Sequence, residues 1–442
     1  MYLSGTSQVN EKNHLEIGGV DAIELAERFG TPLYVLDEEA VRRNMQEFVQ
    51  SFSKQNITYQ VAYASKALCT MSVCKIAEEE GLSLDVVSGG ELYTALKTGF
   101  PKERIHFHGN NKSFAEIEMA ILEEIGAIII DNLHDIQLIE AIAEKHRVVT
   151  KALIRVTPGI EAHTHEYIQT GQEDSKFGFN LTDPALAAAK MAEQSPWIDF
   201  RGFHFHIGSQ IFEMTGFVKA VERIAEFYSI VQYELGRDLP VLNTGGGFGI
   251  RYESTDRPLQ IKEYVSALVE ALNYYFAERS LKLPEIWIEP GRSIVGEAGT
   301  TLYTVGAIKE IPELRKYIAV DGGMMDNPRP ALYQAKYSAA IANRMFSDYQ
   351  EKVTVAGKAC ESGDMLIRDI ELNNPQSGDI LAVFSTGAYN YSMASNYNRI
   401  PRPAMVLVNR GQADLIVKRE TYEDLLQFDL VPERLRSKVS TK

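Results

Sequence analysis

Between about residues 37 and 290, short apolar runs alternate with longer stretches of helical periodicity, which restricts this part of the chain to repeated βα units around a parallel sheet. The expected strands are Thr58–Ala64, Ser83–Ser88, Arg104–Gly109, Ala127–Asp131, Lys151–Val156, Phe200–His206, Pro240–Asn243 and Glu285–Glu289. Helix-like segments lie between them, among them Gly90–Thr98, Ser113–Ile125, Ile136–Lys145, Asp183–Gln194, Gly216–Leu235 and Lys262–Glu278. Eight strands with their helices over about 250 residues match a (β/α)8 TIM-like barrel, whose active site lies at the C-terminal ends of its strands. A doubly wound open sheet is the alternative for the same alternation. Position favours the barrel. Lys66 follows the first expected strand, His206 closes the sixth, Gly245-Gly-Gly247 follows the seventh and Glu289 ends the eighth, all on one rim.

Past about residue 298 the texture changes. Thr301–Ile311, Tyr317–Val320, Lys352–Ala356, Asp379–Phe384 and Ala404–Asn409 are strand-like and are broken by Gly, Pro and Asn. Residues 15–36, ending in Pro32-Leu-Tyr-Val-Leu36, also read as strand-like. A chain of 442 residues exceeds one typical core. The expected fold class is therefore α/β: a barrel over residues 37–297 and a β-rich sandwich or barrel domain made of 1–36 with 298–442.

The formal charge of −15 disfavours nucleic acid or an anionic membrane as partner, since both would repel the average surface. The three cysteines, Cys69, Cys74 and Cys360, show no pairing pattern. No apolar run reaches the roughly 20 residues of a membrane span, and the N-terminus lacks a secretion signature. A cytoplasmic enzyme is the expectation.

The residues on the rim suit an aldehyde cofactor. Lysine forms an imine with an aldehyde once its amine is partly neutral, which burial in an apolar pocket favours. Lys66, in Tyr63-Ala-Ser-Lys66-Ala, stands at a strand mouth; alone it would read as a solvated lysine. Gly245, Gly246 and Gly247 offer bare backbone amides to an anion, at the loop where barrels often hold phosphate, although a tight turn needs glycines too. Glu289 can accept a hydrogen bond from a protonated pyridine nitrogen, Gly291 permits close approach, and Arg292 offers a planar fork for phosphate or carboxylate. A structural Glu–Arg pair is the plainer reading of that turn. His204 and His206 lie two apart on a strand, so one can face the mouth and stack on a planar ring. A zinc site drawn from them with His163 and His165 is the competing idea. No cysteine or carboxylate spacing supports it, and no metal is expected.

In order along the chain, these residues join His204-Phe-His206-Ile-Gly-Ser209-Gln, His108-Gly-Asn-Asn-Lys112, Thr170-Gly-Gln-Glu-Asp-Ser-Lys-Phe-Gly178 and Asp321-Gly-Gly-Met-Met-Asp-Asn-Pro-Arg-Pro330. Cys360-Glu-Ser-Gly-Asp364, Gly387-Ala-Tyr-Asn-Tyr-Ser-Met393 and the run from Asn396 to Pro403 complete the set. The combination resembles the fold-type III, alanine-racemase-like pyridoxal phosphate decarboxylases through nearly the whole chain. That resemblance implies pyridoxal 5'-phosphate bound to Lys66 with His206 against its ring. It implies that Ser209, Gly245 to Gly247 and the turn Glu289, Pro290, Gly291, Arg292 hold the phosphate and pyridine nitrogen, with Tyr389 reaching the phosphate. Arg292, Arg329, Tyr333, Glu361 and Tyr389 are implied to contact an amino-acid substrate, with Cys360 and Glu361 entering from the second subunit of a homodimer.

Charge points to the substrate. Arg329 and Arg292 could grip a second carboxylate and Glu361 a distal ammonium, a description met by meso-2,6-diaminopimelate, with L-lysine and carbon dioxide as products. Cys360 is the expected proton donor to the carbanion, against the plainer reading of a small buried filler. Cys69 and Cys74, on the helix expected after Lys66, are expected to pack in the core. A related decarboxylase for another basic amino acid or a carboxylated polyamine, and a non-catalytic cofactor carrier, are the rival readings.

Overall fold

The computed structural model describes residues 2–160 and 174–436. His163, His165 and the first part of the Thr170–Gly178 motif lie outside the described residues.

All eight expected barrel strands form, as Tyr59–Ala64, Ser83–Val86, Ile105–Phe107, Ala127–Ile130, Thr150–Thr157, Ile198–His204, Val241–Asn243 and Glu285–Ile288. They are parallel, and the sheet closes on itself: Ile286 pairs with Tyr59, while Ile128 pairs with Ala152. Closure excludes the open sheet. The apolar run Ala127-Ile-Ile-Ile130 is buried at every position, as a strand covered on both faces requires. One face of each strand meets the helix ring. The other meets the barrel axis, where Ala127, Ile129, Leu153, Val241 and Trp287 form a separate small cluster and the His106 ring stacks on Trp287 at 4.2 Å.

Local chemistry sets the helix ends. Ser113 and Glu116 make a reciprocal capping box at the start of Phe114–Leu122, Ser88 accepts from the Glu91 amide before Gly89–Lys97, and Pro184 sits in the first turn of Asp183–Gln194.

In the β-rich part, the long strand Gly299–Ile311 pairs antiparallel with Leu33–Asp37, which pairs in parallel with Ala404–Asn409. The N-terminal arm thus lies inside the C-terminal sheet. The expectation of strand throughout residues 15–36 needs correction, because Ala22–Phe29 is a helix. Asp21 caps it by accepting from the Ile23 amide, Gly30 ends it at φ 71, and Ala22 and Leu25 bury its inner face. The strands on either side are short, so their period conceals the single helical turn pair between them. Met365–Leu372 and Gln412–Val417 are further strands beyond those read from the sequence. Among the described residues no helix is long and apolar enough to cross a membrane.

Candidate active site

Side-chain alternation builds the site directly above the axial cluster. Two positions beyond each inward residue, the next inward side chain lies at the barrel mouth. Trp287 is followed in this way by Glu289, Leu153 by Arg155, Val241 by Asn243 and His106 by His108. The plug is apolar and the layer above it is charged. A cavity of about 520 Å³ opens there, lined among others by Lys66, Asp85, His108, Arg155, His204 and Glu289.

Glu289 is the centre of this layer. Its carboxylate is buried, with His108 Nε2 2.9 Å from Oε1, His204 Nε2 3.1 Å from Oε2, and Asn243 Nδ2 donating to Oε1 at 2.5 Å. Burial pushes the Glu289 carboxyl up, but the two imidazoles outweigh it and hold the group well below the usual carboxylate range. Burial also brings His204 down to about 4, so at neutral pH it serves Glu289 as a neutral hydrogen-bond donor. Asp85, 3.5 Å from His108 Nε2, is raised by burial to about 6 despite the attraction of His108.

His206 lies just past the sixth strand. Its Nδ1 accepts from the Gly246 amide at 3.1 Å, which fixes the ring at the cavity wall. Burial first, then Lys66 and Arg155, hold this imidazole well below its ordinary value.

The glycine run differs from its expected role. The Gly245 amide donates to Asn243 Oδ1 at 2.9 Å and the Gly246 amide to His206, so neither is bare, and only Gly247 of the three lines the cavity. Glycine is needed at 246 for packing: a Cβ there would stand 2.1 Å from the Glu289 carbonyl oxygen. At Gly247, with φ +107, it would stand 2.3 Å from the Gly208 carbonyl. Pro290 also lies off the cavity, its carbonyl accepting from the Ala64 amide at 3.0 Å.

Lys66 sits half-buried on the 3-10 turn Ser65–Ala67. The next carbonyl, that of Ala67, accepts from the Tyr389 amide at 2.8 Å, tying the lysine's turn to the β-rich domain. Tyr389 faces the Arg292 guanidinium, 4.8 Å from its ring centre. Arg292 donates to Ser209 Oγ at 2.7 Å and to the Tyr252 hydroxyl at 2.6 Å. Arg329 enters the same cavity from the β-rich domain, with Tyr333 one turn further along the short helix Arg329–Tyr333.

Of the sequence-predicted residues, Lys66, His206, Ser209, Gly247, Glu289, Gly291, Arg292, Arg329, Tyr333 and Tyr389 share this cavity. Cys360 and Glu361 do not. They lie exposed on a loop where the Cys360 amide donates to Asn398 Oδ1, and among the described residues no contact brings them to Lys66. Cys74 is buried on the helix Met71–Glu79, as expected of a packing residue, whereas Cys69 stands before that helix and not on it, and is only partly buried. Sequence reasoning assigned no role to Asp85, His108, Arg155, Asn243 or Tyr252. The first four sit on or just past the C-terminal ends of barrel strands, which was the available signal. Two histidines of the competing zinc set, His163 and His165, lie outside the described residues. His204 shares Glu289 with His108, and their ligand atoms lie within 4.8 Å of one another, an arrangement that in charge suits a cation or a protonated ring nitrogen.

Comparison with known proteins identifies the family. Residues 38–296, the barrel, match the family described as pyridoxal-dependent decarboxylase, pyridoxal binding domain. The diaminopimelate decarboxylase of Bacillus subtilis (strain 168) is 56% identical over 438 residues, covering 97% of this chain and 98% of its own. The crystal structure of diaminopimelate decarboxylase from M. jannaschii in co-complex with L-lysine superposes with a TM-score of 0.92 at 36% identity, covering 98% of this chain and 99% of that one. The lysine/ornithine decarboxylase of Vibrio vulnificus, at 23% identity and a TM-score of 0.75, shares the fold. The chain belongs to the pyridoxal-dependent decarboxylase family, among the diaminopimelate decarboxylases.

Proposed function

We propose that this protein decarboxylates meso-2,6-diaminopimelate, releasing carbon dioxide and L-lysine. The observation that carries this reading is that, besides Arg155, which faces Asp131 at 3.9 Å, two further buried arginines, Arg292 and Arg329, line the cavity that holds Lys66. With Ser209, Gly247 and Tyr389 left to border a cofactor phosphate, these two guanidinium groups suit a substrate with a carboxylate at its far end, whereas a simple diamine-forming decarboxylase needs only acidic groups there.

The residues present fit pyridoxal phosphate. Buried polar atoms of the cavity, Asp85 Oδ1, His204 Nδ1 and Arg292 Nε, have no hydrogen-bond partner within the described residues, and Gly247 leaves no Cβ in the way. When bound, the cofactor supplies an electron-poor ring that stabilises the carbanion left by carbon dioxide. Lys66 is the amine that tethers it, and Glu289 holds a proton on the ring nitrogen while His206 covers the ring face. Ser209, Gly247 and Tyr389 border the phosphate, with Gly245, Gly246, Pro290 and Gly291 shaping the walls behind. Arg329, Arg292 and Tyr333 orient the far carboxylate.

Two further groups come from a partner copy in this reading. Cys360 donates the proton to the substrate carbon and Glu361 pairs with the distal ammonium, which requires a homodimer with shared active sites. The exposure of both residues in a single chain supports this. The β-rich unit of residues 1–36 and 298–442 then serves both as lid to its own barrel and as donor to its neighbour, and the enzyme works in the cytoplasm.

The test is carbon dioxide and lysine formation from meso-diaminopimelate, with and without added pyridoxal phosphate, beside lysine, ornithine and arginine as substrates. Release from one of the latter in preference to diaminopimelate would reassign the substrate.

A further inference from the structure

Tyr252 lies on the loop after the seventh barrel strand, Arg292 follows the eighth, and Arg329 comes from the β-rich domain. The Tyr252 ring is buried, and its hydroxyl accepts from Arg292 Nη1 at 2.6 Å and from Arg329 Nη1 at 2.9 Å. Arg329 Nη1 also donates to the Tyr337 hydroxyl at 2.6 Å, and the two tyrosine rings meet edge-on with centres 5.4 Å apart. The backbone of Tyr252 is pinned as well: its amide donates to Asp256 Oδ2 at 2.9 Å and its carbonyl accepts from Ser338 Oγ at 2.7 Å. This phenol cannot swing away without losing contacts to both domains.

A phenolic oxygen has two acceptor positions, and here a guanidinium fills each. One atom therefore sets the separation of two buried cations that would otherwise repel. The grip on Arg329 is also one-sided. Among the described residues its Nε and Nη2 make no hydrogen bond, and that edge is the fork that matches a carboxylate. Burial acts to raise the Tyr252 hydroxyl, but Arg292 and Arg329 outweigh it and leave it below the ordinary tyrosine value, consistent with an acceptor between two cations.

We propose that Tyr252 is a positioning residue whose hydroxyl locks Arg292 and Arg329 at the spacing that presents the free edge of Arg329 to the far carboxylate, so that Tyr252 sets selectivity for substrates carrying that group. This rests on the reading of a dicarboxylic substrate given above.

The experiment uses the holoenzyme with meso-diaminopimelate as substrate and L-lysine and cadaverine as competitive inhibitors. Decarboxylation removes one carboxylate of diaminopimelate, so L-lysine keeps the far one and cadaverine keeps neither. In Tyr252→Phe, the inhibition constant of L-lysine and the KM for diaminopimelate should rise about ten- to hundredfold, the worth of one charge-assisted hydrogen bond, with cadaverine inhibition moving no more than about twofold. Tyr337→Phe leaves both arginines on Tyr252 and should give a shift in the same direction of about three- to tenfold. An unchanged ratio of lysine to cadaverine inhibition in Tyr252→Phe, or equal weakening of both ligands, overturns the proposal. If Tyr252→Phe yields no soluble holoenzyme, the same comparison is made in Tyr252→His, whose neutral ring offers a single acceptor and cannot hold both guanidinium groups, and an unchanged ratio there overturns it. A wild-type enzyme that releases no carbon dioxide from diaminopimelate would instead refute the functional reading on which the proposal stands.

Discussion

Replacing Glu289 by glutamine removes one charge and almost no volume, and the structure fixes what that charge does. The carboxylate is buried, receives Asn243 Nδ2 at 2.5 Å, and has His108 and His204 at 2.9 and 3.1 Å. These contacts hold its pKa well below the usual range against the effect of burial, so the native protein is built around the ionised form. An amide cannot hold a proton on a pyridine nitrogen. The loss in the transition state is that of one charge-assisted hydrogen bond, about 1.5–3 kcal/mol, or roughly a ten- to hundredfold fall in kcat. Stability should follow pH in a defined sense. A folded-state pKa below the unfolded value contributes stability that is fully present above the unfolded pKa of a glutamate and is lost as pH falls toward the folded value. Glu289→Gln should therefore melt below the wild type at pH 7, with the gap narrowing below about pH 4. The assay is kcat at saturating substrate with bound cofactor quantified by absorbance, and thermal melting at both pH values. A variant with full cofactor and kcat within about twofold of wild type would show that the buried charge takes no part in the chemistry.

Other substitutions address separate steps of the argument. Lys66→Ala should lose both turnover and the imine absorbance of the cofactor; retained activity removes Lys66 from its assigned place. Cys360→Ala should slow turnover with cofactor still bound, and mixing it with Lys66→Ala should restore up to about one quarter of wild-type activity if each site draws on two chains. No recovery on mixing would argue against shared sites. Gly246→Ala places a Cβ 2.1 Å from the Glu289 carbonyl oxygen, a backbone atom that cannot yield cheaply. A cost of about 1–3 kcal/mol and weaker cofactor binding are expected, and a wild-type melting temperature would contradict the packing role given to this glycine. Glu297 is raised by burial to about 7, only partly offset by Arg251, so its ionisation opposes folding as pH rises from the unfolded glutamate value through about 7. Glu297→Gln should then be more stable than wild type at pH 8, by up to about 3 kcal/mol, and no more stable at pH 4. Equal shifts at the two pH values would rule this out.

The barrel was legible because its strands are buried on both faces. Ala127-Ile-Ile-Ile130 and its counterparts appear as bounded apolar runs between amphipathic stretches, so the periodicity alone placed every barrel strand within about two residues. The helix Ala22–Phe29 was hidden for the opposite reason, as two turns between short strands carry too few residues to establish a period. In the site, Lys66, Glu289 and Arg292 stood out because each follows a strand and has a chemistry of its own. The glycine run was placed correctly but misread in detail. Its sequence cannot show that Asn243 and His206 take up two of its amides.

By itself the sequence determined the order of strands and helices, and with them which residues reach the rim of the barrel, since these depend on periods of two and 3.6 along the chain. Only the tertiary structure decided which of those residues touch. The lowered pKa of Glu289 comes from His108 and His204, each at the end of a different strand, and the pairing of Arg292 with Arg329 through Tyr252 joins three segments from two domains. Charge and hydrogen bonding act over a few ångströms of space, and spacing along a folded chain carries no record of that distance until the barrel has closed.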